Sequence, residues 1–500
     1  MAERAGTKSL ADLGLAAAGM GKVHVTGLAV DSRELVEGGL FAALPGTKMH
    51  GGEFIPYALR MGAAAVLTDR AGAAMAKSDL DAGNAALVVA EDPRQALAFA
   101  AALWFSDQPK TMVAVTGTNG KTSVASFTRQ IWETLGHSAV NLGTTGVEGA
   151  LSKPLAHTTP EPITLHRTLA EMAAEGVGYG AMEASSHGLA QKRLDGVGLK
   201  AAAFTNITQD HLDYHPTFED YFQAKAALFD RVLSEDGTAV INIDDPAGPR
   251  LVKMAENRGQ DVLTVGSAEG AALRLTRQNF EPTGQTVRFE WAGKPRQVRM
   301  ELLGDFQAHN ALVAAGRAIA CGDDPGAVFA SLERLHTVRG RMQLAATRSN
   351  GAAVYVDYAH TPDALRTALA ALRPHVMGRI IVVFGAGGDR DQGKRPLMGQ
   401  AAAEGADVAF VTDDNPRSED PATIRAAILQ AMPSDPTRVN EVPDRAEAIL
   451  RGVDALGPGD ALLIAGKGHE TGQIVGDDVL PFDDAEQASV SVAALDGEIL

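Results

Sequence analysis

The segment Val113-Ala114-Val115-Thr116-Gly117-Thr118-Asn119-Gly120-Lys121-Thr122-Ser123 decides the fold of this chain. An apolar strand leads into a glycine-rich turn and then into the start of a helix. Backbone N–H groups of such a turn surround phosphate oxygens, and the helix N-terminus adds favourable partial charge. We therefore predict a nucleotide-phosphate loop, in which Lys121 reaches the terminal phosphates and the Thr122 hydroxyl binds Mg²⁺. The loop departs from the standard motif at Val115, where a first glycine is usual.

The composition narrows the class of protein. The 500 residues carry a net charge of −17, and no run of Lys or Arg favours nucleic-acid binding. Cys321 is the single cysteine, which excludes a disulfide framework within the chain. The N-terminus lacks a signal pattern, and no apolar run approaches the ~18 residues of a membrane span. We expect a cytoplasmic protein that does not contact membranes.

Predicted strands, such as 63–69 and 85–90, alternate with predicted helices, such as 94–105, and this alternation indicates an α/β fold of three domains. We place the limits at 1–108, 109–338 and 339–500: an N-terminal α/β domain, a central P-loop-type domain with a parallel sheet, and a C-terminal Rossmann-like α/β domain. Residues 273–303 alternate between apolar and polar positions and are broken at 282–284 and 292–293, which indicates antiparallel hairpins.

Two polar segments follow apolar strands of the central block. Glu183 lies where a carboxylate beside the phosphate loop would bind Mg²⁺. The two His and two Asp in Asp210-His211-Leu212-Asp213-Tyr214-His215 could also bind a metal, although loops rich in Asp and His often have no such function. Lys225 lies in a helical stretch, Tyr221–Asp230, among alanines; a solvated lysine is the usual reading of such a position. His309 and Asn310 open a small-residue helix, where they would contact a base or cap the helix.

Four charged loops end strands of the third block. They contain Asp357–Pro362, Asp389–Arg395, Asp413–Arg417 and Gly466–Glu470. Because carboxyl ends of parallel strands share one sheet edge, these loops should lie together. Arg side chains suit carboxylates and Asp or Glu suits an ammonium, so the edge could bind a zwitterionic amino acid.

These motifs resemble the Mur ligase family of ATP-dependent, peptide-forming enzymes of cell-wall synthesis, and the match covers nearly the whole chain. The pattern is seen in Gly117–Thr122, Glu183 with Ser185-Ser186-His187, Thr205-Asn206, Asp210-His211, His309-Asn310 and Arg341. Asp414-Asn415-Pro416-Arg417 resembles the motif of members that add meso-diaminopimelate, whereas members that add lysine usually differ there. The resemblance implies that the partners are ATP, a UDP-N-acetylmuramoyl dipeptide and meso-diaminopimelate, and that Mg²⁺ is the cofactor. We expect a monomer.

The resemblance also implies residue roles. Lys121, Glu183, His211, Lys225 and His360 would be catalytic, with Lys225 carbamylated. Thr122, Glu183, His211 and Lys225 would bind Mg²⁺, and Gly117–Ser123, Asn310 and Arg341 would bind ATP. The UDP-sugar peptide would contact Val30, Ser32, Thr47, Lys48, Met49, His157, Thr158, Thr159, Ser185, Gln191 and Arg193, although related enzymes often have Asn where this chain has His157. The amino acid would contact Arg390, Asp414, Asn415, Pro416, Arg417, Gly466 and Glu470.

Three alternatives stay open from the sequence. A lysine-adding relative and folylpolyglutamate synthase share much of the architecture, although Asp31-Ser32-Arg33 argues against the folate enzyme. A P-loop nucleotide-binding regulator without ligase activity is the third, and the charged loops of the last block argue against it.

Either His211 or His360 could accept the proton from the attacking amine, and the sequence does not choose between them.

Overall fold

The computed structural model describes residues 6–17, 22–46, 49–208, 214–281 and 283–497. Thr47, Lys48 and His211, which the sequence assigns to binding or catalysis, lie outside these ranges. Contacts divide the chain into a first unit, residues 1–271 with 313–328, and a second unit, residues 272–312 with 329–500. The domain limits after residues 108 and 338 stay predictions.

The first unit begins with a small parallel sheet. Its four strands lie in the order Leu28–Ala29, Leu40–Ala43, Ala65–Thr68, Ala86–Val89, and a separate antiparallel pair joins Lys8–Ser9 to His24–Val25. The helices of this region are Ile55–Arg60, Arg70–Met75, Lys77–Ala82 and Pro93–Phe105. The strands predicted near 63–69 and 85–90 are confirmed. The predicted helix 94–105 begins one residue earlier, at Pro93, because the Asp92 side chain caps it by accepting from the N–H groups of Arg94 and Gln95.

A larger, mostly parallel sheet forms the rest of the first unit. Its strands lie in the order Asp261–Gly266, Thr238–Asn242, Ala201–Phe204, Thr111–Thr116, Tyr179–Glu183, Ala139–Gly143, with Gly146–Gly149 antiparallel at the end. The accompanying helices are Lys121–Thr134, Pro162–Ala174, Ser186–Ala190, Phe218–Ala227 and Gly248–Asn257. The helix predicted at 221–230 is replaced after Ala227 by a π-helical segment, Leu228–Val232. Thr111–Thr116 is a central strand, so the loop that follows it lies between the ends of two neighbours.

The second unit contains antiparallel and parallel sheet. Leu273–Glu281, Gly284–Trp291 and Lys294–Met300 pair in order as antiparallel strands, which confirms the predicted hairpins. Pro282, in the first predicted break, lies outside the described residues. Six strands form the other sheet in the order Gln343–Thr347, Ala353–Asp357, Ala461–Ala465, Ile380–Phe384, Val408–Val411, Val439–Glu441; only the first pair is antiparallel. A short hairpin joins Gly472–Val475 to Asp478–Pro481.

Helices cover the six-stranded sheet. They are Pro362–Leu372, Lys394–Gly405, Pro421–Leu429, Arg445–Asp454 and Asp484–Asp496. Two further helices, Asp305–Ala320 and Pro325–Ser331, contain residues of both units. The inner strands of this sheet are buried on both faces, and two apolar clusters, one containing Val382 and the other Ile381, pack on opposite sides. None of the helices in the described ranges is long and apolar enough to cross a bilayer.

Candidate active site

Hydrogen bonds from the residues after the strand Ala201–Phe204 hold the phosphate loop in place. Thr118 and Asn119 donate backbone N–H groups to the backbone and side-chain oxygens of Asn206, and the Thr205 hydroxyl donates to the Asn119 carbonyl at 2.6 Å. A Cβ at Gly117 would lie 1.9 Å from Thr205 Oγ1, so any other residue at that position would displace the Thr205 side chain that bonds to Asn119. Gly120 has a left-handed φ of 84° and precedes the helix that begins at Lys121. The loop therefore has the strand–turn–helix form that the sequence predicts.

Lys121 and Thr122 lie at the first turn of that helix. Lys121 Nζ donates to the carbonyls of Gly117 at 3.0 Å and Thr118 at 2.9 Å, so its ammonium lies over the loop. Thr122 is buried, and its hydroxyl donates to Glu183 Oε2 at 3.1 Å. Ser123 follows and is also buried. The structure thus brings the loop and Glu183 together although 61 residues separate Thr122 from Glu183.

Glu183 ends a central strand and is almost fully buried. Its Oε1 accepts from the Thr144 N–H at 2.8 Å, and Oε2 accepts from Thr122. A Cβ at Gly143 would lie 1.9 Å from Oε1, so the carboxylate occupies space that only a glycine leaves. Within the described ranges no Lys, Arg or His pairs with this carboxylate. A buried, uncompensated carboxylate beside a hydroxyl is a hard-oxygen set that suits Mg²⁺.

Lys225 is a second lysine, after Lys121, that contacts the phosphate loop. The residue is 2% exposed, and its Nζ donates to the Gly117 carbonyl at 2.6 Å. The same ammonium lies 4.5 Å from the ring centroid of Tyr221, a cation–π contact. Lys225 is therefore a buried residue at the nucleotide loop rather than the solvated lysine of the usual reading. Among the described residues no group of three or more His, Cys, Asp and Glu side chains is arranged so that it could hold a metal ion.

Residues assigned to the UDP-sugar peptide lie next to Glu183. Thr158 Oγ1 is 3.1 Å from Thr144 Oγ1, and the Thr159 hydroxyl donates to the Glu183 carbonyl at 3.0 Å. Ser185 donates its N–H and hydroxyl to Thr159 Oγ1, both at 3.1 Å, and caps the helix Ser186–Ala190. A chain of hydrogen bonds therefore runs from Thr122 through Glu183 to Thr159 and Ser185.

A cavity lies beside Thr159, which contacts one of its lining residues, Arg193. It is lined by Val30, Leu44, Arg94, Glu161, Pro162, Gln191 and Arg193. Arg193 donates to the Thr159 carbonyl at 2.6 Å and to the Gln191 side chain at 2.8 Å. Burial, and then the nearby Arg94 cation, lowers the pKa of Arg193. Two guanidinium groups at one cavity favour an anionic ligand. Of the other assigned residues, Ser32 is buried, whereas Met49 and His157 are exposed.

In the second unit, Arg341 and His360 lie around one aromatic ring. The Arg341 guanidinium carbon is 4.7 Å from the Tyr358 ring centroid, and the His360 ring is 4.5 Å away from it. His360 Nδ1 lies 2.8 Å from the Tyr358 carbonyl; a carbonyl only accepts, so Nδ1 carries the proton and Nε2 is the free base. Desolvation, followed by the Lys394 and Arg341 cations, lowers the pKa of His360 against the opposing hydrogen bond to Tyr358, which favours the neutral ring. Asn310 lies on the helix Asp305–Ala320, where its amide donates to Gln307 at 3.1 Å.

The loops assigned to the amino acid meet at the edge of the six-stranded sheet. Asn415 Nδ2 donates to Glu470 Oε2 at 2.9 Å, and a Cβ at Gly466 would lie 2.5 Å from Asp414 Oδ2. Arg417, with a left-handed φ of 53°, donates to the Gly388 carbonyl at 2.8 Å. In the same loops Pro416 is buried and Arg390 is exposed, with its guanidinium donating to the Asp389 carbonyl.

Two residues of these sites were given no role from the sequence. Thr144 donates its N–H and its hydroxyl to the Glu183 carboxylate. The one sequence feature that could have indicated this role is its position directly after the strand Ala139–Gly143, in Gly143-Thr144-Thr145-Gly146. Lys467 is fully buried between Asn415 and Glu470, and the sequence shows only that it lies in a charged loop.

Sequence comparison identifies three successive matches to Mur ligase domains. Residues 24–104 match the "Mur ligase family, catalytic domain", residues 115–318 the "Mur ligase middle domain", and residues 340–468 the "Mur ligase, glutamate ligase domain". Together they cover well over half of the chain. They agree with the three-domain α/β fold expected from the sequence.

Similar proteins span nearly the full length. A protein of Bradyrhizobium diazoefficiens is 49% identical over 482 residues, covering 94% of this chain and 96% of that protein; one of Agrobacterium fabrum is 48% identical, covering 96% and 95%. Both are named UDP-N-acetylmuramoyl-L-alanyl-D-glutamate–2,6-diaminopimelate ligase.

Solved structures agree with these matches. A structure with the same ligase name has 33% identity and a TM-score of 0.74, covering 98% of this chain and 99% of that one. Folylpolyglutamate synthase of Mycobacterium tuberculosis, at 18% identity and a TM-score of 0.60 over 81% of this chain and 95% of that one, shares the fold. The chain belongs to the Mur ligase family, whose members are ATP-dependent ligases.

Proposed function

We propose that this protein joins meso-diaminopimelate to UDP-N-acetylmuramoyl-L-alanyl-D-glutamate with consumption of ATP, in the synthesis of the peptidoglycan precursor. The observation that carries the proposal is the chain of hydrogen-bonded polar groups in the first unit. It links the phosphate loop, through Thr122 and Glu183, to Thr159 and Ser185. A phosphoryl donor bound at one end and an acidic peptide at the other would meet at Glu183. The 49% identity to a named diaminopimelate ligase supports the choice of substrates.

The chemistry requires an activated carboxylate, because a carboxylate and an amine do not condense at neutral pH. Transfer of the γ-phosphoryl group from ATP to the peptide carboxylate gives an acyl phosphate and ADP. The amine nitrogen then attacks the carbonyl carbon, loses a proton, and phosphate leaves as the amide forms. Lys121 lies over the loop, where it would neutralise phosphate oxygens as charge redistributes.

Mg²⁺ would be held by Thr122 and Glu183, together with His211 and a carbamate on Lys225. When bound there it would supply further neutralisation of phosphate charge. The residues present fit this ion, since the buried Glu183 carboxylate has hydroxyl and N–H partners but no basic side chain among the described residues. We also propose that Asn310 and Arg341 contact ATP, that the domains end at 108 and 338, and that the enzyme acts as a monomer.

The amino acid would bind at the loops of the second unit. Arg417 and Arg390 supply guanidinium groups for carboxylates, whereas Asp414 and Glu470 accept from an ammonium. His360, neutral with Nε2 free, has the protonation state needed to accept a proton from the amine. His211 stays the alternative.

Phosphate release tests the proposal directly. Release should require ATP, the UDP-dipeptide and an amino acid together, and diaminopimelate should be used in preference to lysine. Lys121→Ala should abolish release with little change in melting temperature. Lys153→Ala, at a partly buried lysine paired with Glu171, is the matched control. Release that needs no amino acid would favour a nucleotide-binding regulator. Preference for lysine would favour the lysine-adding relative, and use of a folate with glutamate would favour folylpolyglutamate synthase.

A further inference from the structure

Lys467 is a charged residue with no exposed side-chain surface. It follows the strand Ala461–Ala465, and its Nζ donates to Asn415 Oδ1 at 2.9 Å and lies 3.5 Å from Glu470 Oε2. Removing an ammonium from water is unfavourable unless its partners are well placed. Packing alone does not explain why a lysine is buried between two residues of the proposed amino-acid site.

The contacts of Asn415 show what the lysine does. Oδ1 accepts from Lys467 Nζ and from the Ile474 N–H, each at 2.9 Å, whereas Nδ2 donates to Glu470 Oε2 at 2.9 Å. An ammonium and a backbone N–H only donate. A flipped amide would place its NH₂ group against both donors and its oxygen against the carboxylate. Lys467 and Ile474 thus hold one orientation of the Asn415 amide.

The same contacts leave one oxygen of Glu470 available. Oε2 is taken by the Asn415 amide and faces Lys467, while Oε1 accepts no hydrogen bond from the described residues. The Glu470 side chain is 35% exposed, so a ligand can reach it. An ammonium is the ligand that a carboxylate oxygen in this position would accept.

We propose that Lys467 is a positioning residue for amino-acid selection. It fixes the Asn415 amide and one oxygen of Glu470, so that the other oxygen accepts the ammonium of a zwitterionic amino-acid centre. Lys467 does not itself touch the substrate. The inference rests on the proposed function, because it assigns the site at Asn415 and Glu470 to the incoming amino acid.

Lys467→Met tests this role, because methionine has a similar length but no charge and no donor. We expect the KM for meso-diaminopimelate to rise at least ~10-fold, the preference over lysine to fall at least ~10-fold, and the KM values for ATP and the UDP-dipeptide to stay within ~2-fold. Lys467→Arg keeps the charge, but its planar fork cannot occupy the enclosed position without moving Asn415. Lys467→Arg should also raise the KM for meso-diaminopimelate and lower the preference over lysine, but by smaller factors. If Lys467→Met does not fold, the result for Lys467→Arg tests the role.

Arg348→Met is the matched structural control. Arg348 is a largely buried cation of the same unit, paired with Asp496 at 2.8 Å and making no contact with the amino-acid loops. It should lower the melting temperature without changing the preference for diaminopimelate.

Two results would overturn the role of Lys467: an unchanged KM and preference in a folded variant, or a uniform loss that matches Arg348→Met. Failure of the proposed function is seen separately, in the unmodified protein. If that protein uses another amino acid, the same comparison of constants is made with that substrate. If it uses none, both proposals are wrong.

Discussion

The ammonium of Lys225 donates a 2.6 Å hydrogen bond to the carbonyl of Gly117, which joins a buried helix residue to the first glycine of the phosphate loop. An ammonium cannot bind a metal cation. Addition of carbon dioxide to the neutral amine would give a carbamate and release a proton. The carbamate nitrogen would keep one N–H for Gly117, and its two oxygens would be hard ligands for Mg²⁺.

We predict that Lys225→Ala loses about 10²–10³-fold in kcat, the size of effect seen when one charge-stabilising group is removed. Short carboxylic acids added to this variant should restore part of the activity, because the vacated space can hold a carboxylate in place of the carbamate. Lys225→Arg, which fills the space and does not form a carbamate, should be inactive and should not respond. Phosphate release measures all three, and full activity of Lys225→Ala without added acid would disprove the role.

A methyl group at Gly143 should disturb the metal site. The added Cβ would lie 1.9 Å from Glu183 Oε1, so the carboxylate must move. A displacement of about 1 Å in a catalytic group costs on the order of 10²-fold in rate. We expect Gly143→Ala to lose activity by that factor and to need more Mg²⁺ for half-maximal rate.

Gly178→Ala is the control for Gly143, since nothing lies within 4 Å of its added Cβ. A magnesium titration of phosphate release compares the two variants. The assignment of Glu183 to the metal would be wrong if Gly143→Ala kept the magnesium dependence of the unmodified protein.

Arg417 should set the preference for diaminopimelate. One guanidinium nitrogen donates to Gly388, and the others make no hydrogen bond within the described residues, which leaves them for a carboxylate. Lysine lacks the distal carboxylate of diaminopimelate and would leave this cation without its partner. We expect a preference of at least ~10²-fold in kcat/KM, and Arg417→Ala should remove most of it.

The measurement for Arg417 is kcat/KM with each amino acid in parallel. Arg366→Ala, at a half-exposed arginine of the same unit near Glu404, serves as the control and should keep the preference. Equal kcat/KM values for both amino acids in the unmodified protein would reject the diaminopimelate assignment but not the ligase activity.

Cys321 should react slowly with alkylating reagents while the protein is folded. The residue is partly buried, and desolvation raises the pKa of its thiol to about 12 because a thiolate is poorly solvated there. At pH 8 the thiolate fraction is then about 10⁻⁴, roughly 10³-fold below that of a free cysteine. Because the pKa is raised, folding stability should be unaffected below the unfolded pKa of about 8.5 and should decrease as the pH rises above it.

Iodoacetamide labelling followed by mass spectrometry checks the thiol prediction. Cys321 is the single cysteine, so labelling in urea gives the rate for the unfolded chain without ambiguity. Equal rates in the folded and unfolded protein would show that the thiol is not shielded.

The local elements of this protein were accessible from its sequence. The phosphate loop follows from an apolar strand, two glycines and a helix start that are contiguous in the chain. The antiparallel strands between residues 273 and 300 follow from alternation and from turn residues at 282–284 and 292–293. Such features depend on neighbouring residues and on their allowed backbone angles, so they can be read along the chain. The family resemblance added the roles of distant residues without giving their geometry.

Only the tertiary structure decided which side chains meet. Glu183 faces Thr122 because Tyr179–Glu183 pairs with Thr111–Thr116, and Thr144 joins them from the next strand. Parallel strands are joined by long crossovers, so their order is set by packing between distant segments and leaves no local signal. Lys467 was unassigned for the same reason: a lysine in a charged loop is usually solvated, and its burial against Asn415 exists only after two loops meet at the sheet edge. Local backbone preferences fix the elements, whereas long-range packing creates the site.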